Sequence, residues 1–186
     1  MTRIAVPLEK AYRLHNHGPT VLVSAAHDGR VNVMAAAWNM PLDFTPPKVA
    51  VVIDRNTWTR GLIEGSGEFT LSVPCAAQVV LTNTVGDCSG RDVDKAATVA
   101  GLSYSPASLV SAPLVDGCVA WMECRVLREP HIEQTYDLFL GVVVAAWADD
   151  RVFHDGRWNF EGHDDLRTLH HVAGGNYFLP GASIVG

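Results

Sequence analysis

The sequence predicts a mainly β fold: a closed or partly closed barrel whose ends are plugged by short helices. Two observations carry that expectation. Apolar runs of strand length recur along the chain, each bounded by Gly, Pro, Asn or Asp, and residues 115–128 alternate plainly between two faces. Helical spacing is confined to short segments.

Residues 20–26 read as a strand, and His27-Asp28-Gly29-Arg30 as a hairpin turn with Gly where φ can be positive. Residues 31–39 continue as the return strand. Pro41, Pro46 and Pro47 then predict an extended turn, because a proline restricts its own φ and the residue before it. Residues 48–54 are the third strand. Asn56 or Thr57 is a fair N-cap for a helix running to Glu64 and ended by Gly65. Residues 69–73 return to strand, stopped by Pro74.

Residues 76–84 suit helix or strand and are read as helix. Ser89-Gly90-Arg91-Asp92 resembles a capping box. It would open a helix with Val93, Ala96, Ala97 and Ala100 on one face, ended by Gly101. Within 115–128, Cys118, Ala120, Met122, Cys124 and Val126 make one apolar side, so Cys118 and Cys124 are expected to share a face. Residues 138–147 are apolar on both sides, as in a strand covered twice. The tail beyond Asp149 carries turn signals at Asp155-Gly156 and Gly174-Gly175. Six or seven strands and two or three short helices result.

Of 186 residues, 48% are apolar and only 18% charged, with a mean hydropathy of +0.11. That surplus predicts a buried subunit interface. A formal net charge of -6 disfavours nucleic acid, which needs a basic footprint. The longest apolar run, residues 138–147, falls short of the roughly 18 residues of a membrane span. Residues 1–10 include Pro7 and Glu9 and lack a signal-peptide apolar stretch, so a cytoplasmic location is expected. With no linker, charge block or internal repeat, residues 1–186 read as a single domain. Cys75, Cys88, Cys118 and Cys124 lack zinc-ribbon spacing and read as small buried hydrophobes.

No catalytic residue is assigned. A G-x-S-x-G elbow is missing, since Gly86-Asp87-Cys88-Ser89-Gly90 has its serine one place late. His15/His17 and His163/Asp164/His170/His171 lack H-E-x-x-H spacing and read as solvated or hydrogen-bonded histidines. A G-x-G-x-x-G fingerprint is also missing.

Three segments suit an anionic, flat ligand. Arg55, Asn56, Thr57, Thr59 and Arg60 cluster where a strand passes into a helix, whose free N–H groups favour a phosphate. Helix capping and solvated arginines explain this cluster equally well. Ser89, Gly90 and Arg91 form a second helix start with Lys95 one turn on, or simply a capped surface helix with Asp92–Lys95 pairing. The stretch Asn32-Val33-Met34-Ala35-Ala36-Ala37-Trp38-Asn39 is rich in small residues. A planar ligand could lie against its backbone, though tight strand packing accounts for it as well.

At these residues the chain resembles the flavin reductase-like, FMN-binding split-barrel family, in its flavoredoxin-like branch. The matching segments run in order over nearly the whole chain. They are Asn32 through Trp38, Asp43-Phe44-Thr45-Pro46-Pro47, Thr57-Trp58-Thr59, Gly67-Glu68-Phe69 leading to Val73-Pro74, Ser89 through Lys95, Glu123-Cys124, Leu138 through Val142, and His170 through Tyr177.

The resemblance implies a six-stranded split barrel, a homodimer, and FMN near the dimer interface. By position, Asn32, Val33, Met34, Ala35, Ala36, Ala37, Trp38 and Asn39 would line the isoalloxazine and ribityl chain. Arg55, Asn56, Thr57 and Thr59 would hold the phosphate. Ser89, Gly90 and Arg91 would close the site with Lys95, and His171, Gly174 and Tyr177 would cover the flavin. Two positions depart from the branch pattern: Ala35 stands where a hydroxyl residue is frequent, and Ala173 where a glycine is. The activity implied is an NAD(P)H-dependent flavin reductase, drawing on NADH or NADPH and passing electrons to a partner oxygenase or another acceptor. Two alternatives stay open: a non-enzymatic FMN-binding electron carrier or flavin store, and a structural barrel or small-ligand binder without flavin.

Overall fold

The structure, a computed structural model, describes residues 2–184 and 186. Among these described residues there are fourteen strands. The first five are β1 (Arg3–Ala5), β2 (Val21–His27), β3 (Arg30–Ala36), β4 (Asn39–Phe44) and β5 (Pro47–Val52). Helix α1 (Trp58–Ser66) leads to β6 (Glu68–Val73), followed by α2 (Val79–Asp87) and a single turn, α3 (Lys95–Thr98). The short β7 (Tyr104–Ser105) and β8 (Leu114–Val115) precede β9 (Ala120–Leu127), α4 (Pro130–Tyr136) and the long β10 (Leu138–Asp149). Two hairpins close the chain: β11 (Phe153–His154) with β12 (Arg157–Trp158), and β13 (His170–Ala173) with β14 (Asn176–Phe178).

One antiparallel sheet runs in the order β3-β2-β6-β9-β10-β5-β4, with β1 added along β10. Its terminal strands, β3 and β4, are joined in sequence by Ala37 and Trp38 alone, so the sheet must roll until its two edges meet. No backbone ladder joins those edges among the described residues, and the barrel has a seam there. The rolled sheet encloses the main core, with Val21, Val23, Val51, Phe69, Leu71, Met122, Cys124 and Phe139 all buried. A second cluster lies outside the barrel, where Leu22, Val33 and Trp121 meet Leu81 and Val85 of α2, together with Leu114, Val115 and Cys118. No helix among the described residues is long and apolar enough to cross a membrane.

The mainly β barrel is as expected, but several elements differ from the sequence reading. The sheet has eight strands because β1 and β4 join it. The return strand stops at Ala36 instead of Asn39, since the Asn39 amide turns back to donate to Ala36 O and Pro19 O, each at 3.1 Å. Of the stretch expected as a proline turn, only Thr45-Pro46 forms one; Pro47 opens β5, and Pro41 lies in β4, tolerated because β4 is a terminal strand with one side free of ladder bonds. Helix α1 ends at Gly67, whose φ of 71° makes the left-handed cap, and Gly65 stays inside it.

The helix expected from Ser89 does not form there. Ser89 Oγ accepts only from Arg91 N, and the cap is Asp94, which accepts from the N–H groups of Ala96 and Ala97. Residues 115–128 are two strands, because Gly117 at φ 78° breaks the run. Cys118 therefore belongs to the outer cluster and Cys124 to the barrel core, and they do not share a face. Helix α4 escaped the sequence reading; Pro130 at its start is pre-set for helix and lacks only an N–H that the first turn leaves free.

Candidate functional site

The seam opens into two adjoining cavities that share Met34, Ala35, Gly86 and Asp87. The wider, about 390 Å³, lies beside Ala36, Ala37 and Trp38 and reaches Val52, Asp54, Thr82, Asn83, His171 and Tyr177. The narrower, about 250 Å³, lies among Asn32, Asn56, Thr57, Trp58, Thr59, Cys88, Ser89, Gly90 and Lys95. Together they make one elongated groove with a broad end and a tight polar end.

Helix α1 supplies the tight end. Its N-cap residue, Thr57, makes no side-chain cap; the hydroxyl instead donates backward to Asp54 O at 2.8 Å. First-turn N–H groups have no intrahelical acceptor, so this uncapped terminus presents donors and positive potential. Buried Asn32 on β3 donates to Thr59 Oγ1 at 2.8 Å, which ties the strand to the helix. Gly90 lies so close to both that a Cβ there would overlap Asn32 Oδ1 and the Trp58 ring.

Lys95 completes this end. Its ammonium is buried, donates to Val33 O at 2.8 Å and Val85 O at 2.7 Å, and has no carboxylate within ion-pair distance among the described residues. Burial draws its pKa below the ordinary lysine value, while proximity to Cys88 acts in the opposite direction. A buried cation with one donor left and no counter-ion is a place for an anion.

The broad end has a different chemistry. Three consecutive alanines leave backbone within reach of a flat ligand, and Gly86 of α2 lines the opposite side. The Thr82 hydroxyl is buried there with no partner among the described residues. The hairpin β13–β14 stands at the rim, where the His171 ring meets Tyr177 edge-on at 5.3 Å. His171 N is anchored by Thr20 Oγ1 at 2.9 Å.

Residues 13–164 match the family model described as a flavin reductase like domain. The chain belongs to the flavin reductase-like family. An uncharacterized protein, YddH, from Escherichia coli (strain K12) is 45% identical over 184 residues, spanning 97% of this chain and 96% of that one. The crystal structure of an FMN-binding domain of a flavin reductases-like enzyme from Shewanella baltica OS155 superposes with a TM-score of 0.96 at 46% identity, covering 100% and 97% of the two chains. Flavoredoxin of Desulfovibrio vulgaris (Miyazaki F) does so with a TM-score of 0.79 at 27% identity, covering 91% and 90%.

Within this family fold, most residues singled out from the sequence converge on the groove. Met34, Ala35, Ala36, Ala37, Trp38 and His171 line the broad end; Asn32, Asn56, Thr57, Thr59, Ser89, Gly90 and Lys95 line the tight end. Six do not line it, among them Gly174 and Arg60, which pairs with Glu64 and Asp137. Val33 is buried in the outer core. Asn39 binds His15, Pro19 and Ala36. Arg55 turns to Asp137, at 3.2 Å, and to Gln134 O. Arg91 is exposed and lines neither cavity. Sequence reasoning overlooked the α2 wall, Thr82, Asn83, Gly86 and Asp87, although small or polar residues at i, i+1, i+4 and i+5 mark one helix face.

Proposed function

We propose that the groove binds FMN, its phosphate at the tight end and its ring system at the broad end, and that the chain is an FMN-dependent oxidoreductase. The observation that carries this is Lys95, a buried ammonium that lacks a carboxylate and lines the same cavity as the open start of α1. The relatives support it, since the Shewanella baltica structure is an FMN-binding domain. Bound FMN would accept a hydride and pass electrons on; the chain supplies orientation, charge and shelter from water. Lys95 and the α1 N–H groups hold the phosphate, Asn32 keeps β3 and α1 in register, and His171 and Tyr177 screen the ring.

In the leading reading the donor is NADH or NADPH and the acceptor is a partner oxygenase or another oxidant. The test is reconstitution with FMN followed by anaerobic addition of each nicotinamide. Bleaching of the flavin absorbance supports reductase activity, and no bleaching with either donor overturns it. A second reading, an electron carrier reduced by another enzyme, draws on the broad end itself. Its lining carries the carboxylates of Asp54 and Asp87 and neither lysine nor arginine, so nothing there attracts a dinucleotide pyrophosphate. Retention of FMN through dialysis without nicotinamide turnover supports that reading.

We further propose that the working unit is a homodimer. Trp38, just before β4, and Met40, Leu42 and Phe44 on it make a row of exposed apolar side chains. Met40 pairs with Ala50 and Ala50 with Leu140, which extends the apolar strip across the outer face of the sheet. Trp38, 75% exposed, stands both in this strip and at the groove, so a second copy seated on the strip would also cover the broad end.

A further inference from the structure

A third cavity, about 600 Å³, lies apart from the groove and shares none of its lining residues. We propose that it binds a planar aromatic monocarboxylate. Its size is within the range of small-molecule sites. One wall is aromatic: Trp158 and Phe160 stack with ring centroids 5.3 Å apart and planes 16° from parallel, and the edge of His17 meets Trp158 at 5.6 Å. The indole N–H is already spent on Arg13 O at 3.1 Å, so the ring offers the cavity π and apolar surface only.

The other wall is Arg167 and the tail from Pro180 to Ser183. Arg167 donates through Nε to Asp164 at 2.8 Å and through Nη1 to Pro180 O and Gly181 O at 2.7 and 3.1 Å. Its Nη2 has no partner among the described residues, which leaves two guanidinium hydrogens for an acceptor on a ligand. Glu161 also lines the cavity and disfavours a second negative charge, hence one carboxylate and not two. His17 is held by Thr168 Oγ1 at 2.9 Å, and that hydroxyl in turn meets His170 Nε2 at 3.1 Å, so the aromatic wall is fixed from behind.

The test is equilibrium dialysis of the full chain, with and without FMN, against naphthoate and its uncharged counterpart naphthylmethanol. Saturable binding of naphthoate is expected, about tenfold tighter than the alcohol, because a charge-assisted bond to guanidinium is lost in the latter. In Ala182→Trp the new ring fills the cavity; naphthoate binding should disappear while FMN affinity stays unchanged. Arg167→Gln should remove the preference for the acid, with circular dichroism verifying the fold. Absence of saturable binding, equal affinity for acid and alcohol, undiminished binding in Ala182→Trp, or competition by FMN each overturns the proposal.

Discussion

The Lys95 ammonium donates to the carbonyl of Val33, 62 positions earlier in the chain, at 2.8 Å. A second bond to Val85 O makes this one side chain the clamp between β3 and the end of α2, at the tip of the groove. Lys95→Met should keep much of the packing and lose the charge. We expect FMN affinity to fall by about tenfold to a hundredfold, the scale of one charge-assisted hydrogen bond. Riboflavin, which lacks the phosphate, should be affected much less. Fluorescence titration of both ligands checks this, and an equal loss for the two would place the phosphate elsewhere.

Gly90 reports on the same end by shape. Because a methyl there would overlap Asn32 Oδ1 and the Trp58 ring, Gly90→Ala must push the turn outward or displace that pair. FMN binding should weaken by about tenfold with a smaller change in melting temperature. Calorimetric titration beside a thermal melt separates the two effects.

His15 makes stability depend on pH. It is fully buried, shares a hydrogen bond with Asn39 Oδ1, and its Nδ1 has no partner among the described residues. Burial lowers its pKa from 6.5 to about 4, the bond to Asn39 opposing the shift. The unfolded chain therefore takes up a proton between these values that the folded chain refuses. Stability from this group is complete above the ordinary value near 6.5 and is lost as pH falls toward 4, by about 3 kcal/mol in all. His17 is likewise drawn down to about 4, chiefly by desolvation, so urea unfolding at a series of pH values should show the loss from both, and His15→Gln should remove only the His15 share.

Gly141 tests the barrel core. An added Cβ would stand 2.5 Å from Phe69 Cζ and 3.2 Å from Cys124 Cβ, with little room for either to move. Gly141→Ala should cost about 1–3 kcal/mol, the usual penalty for overpacking. A lower urea midpoint with an unchanged slope of the transition is the expected result.

Met40 tests the assembly. Lysine at this exposed position is harmless to an isolated barrel but places a charge in the proposed interface. Sedimentation should show dimeric wild type and largely monomeric Met40→Lys, with faster FMN release from the variant. A monomeric wild type would remove the proposed interface.

Much of this protein is local and was therefore legible in its sequence. Strand runs, the hairpin at Asp28-Gly29, and the polar segments 55–59 and 89–95 follow from side-chain alternation, turn chemistry and residue type, each decided by near neighbours. The resemblance to the flavin reductase-like family was legible for the same reason, as an ordered set of short segments. Only the rolled sheet decided what those segments do together. Closure brings β3 and β4 edge to edge, ends the return strand at Ala36, and sends Arg55 to Asp137 in place of the groove. It also brings Lys95 onto Val33 and Val85, and makes α2 a wall of the site. These contacts join residues far apart in sequence, where neither propensity nor periodicity carries information; the geometry of the closed sheet supplies it.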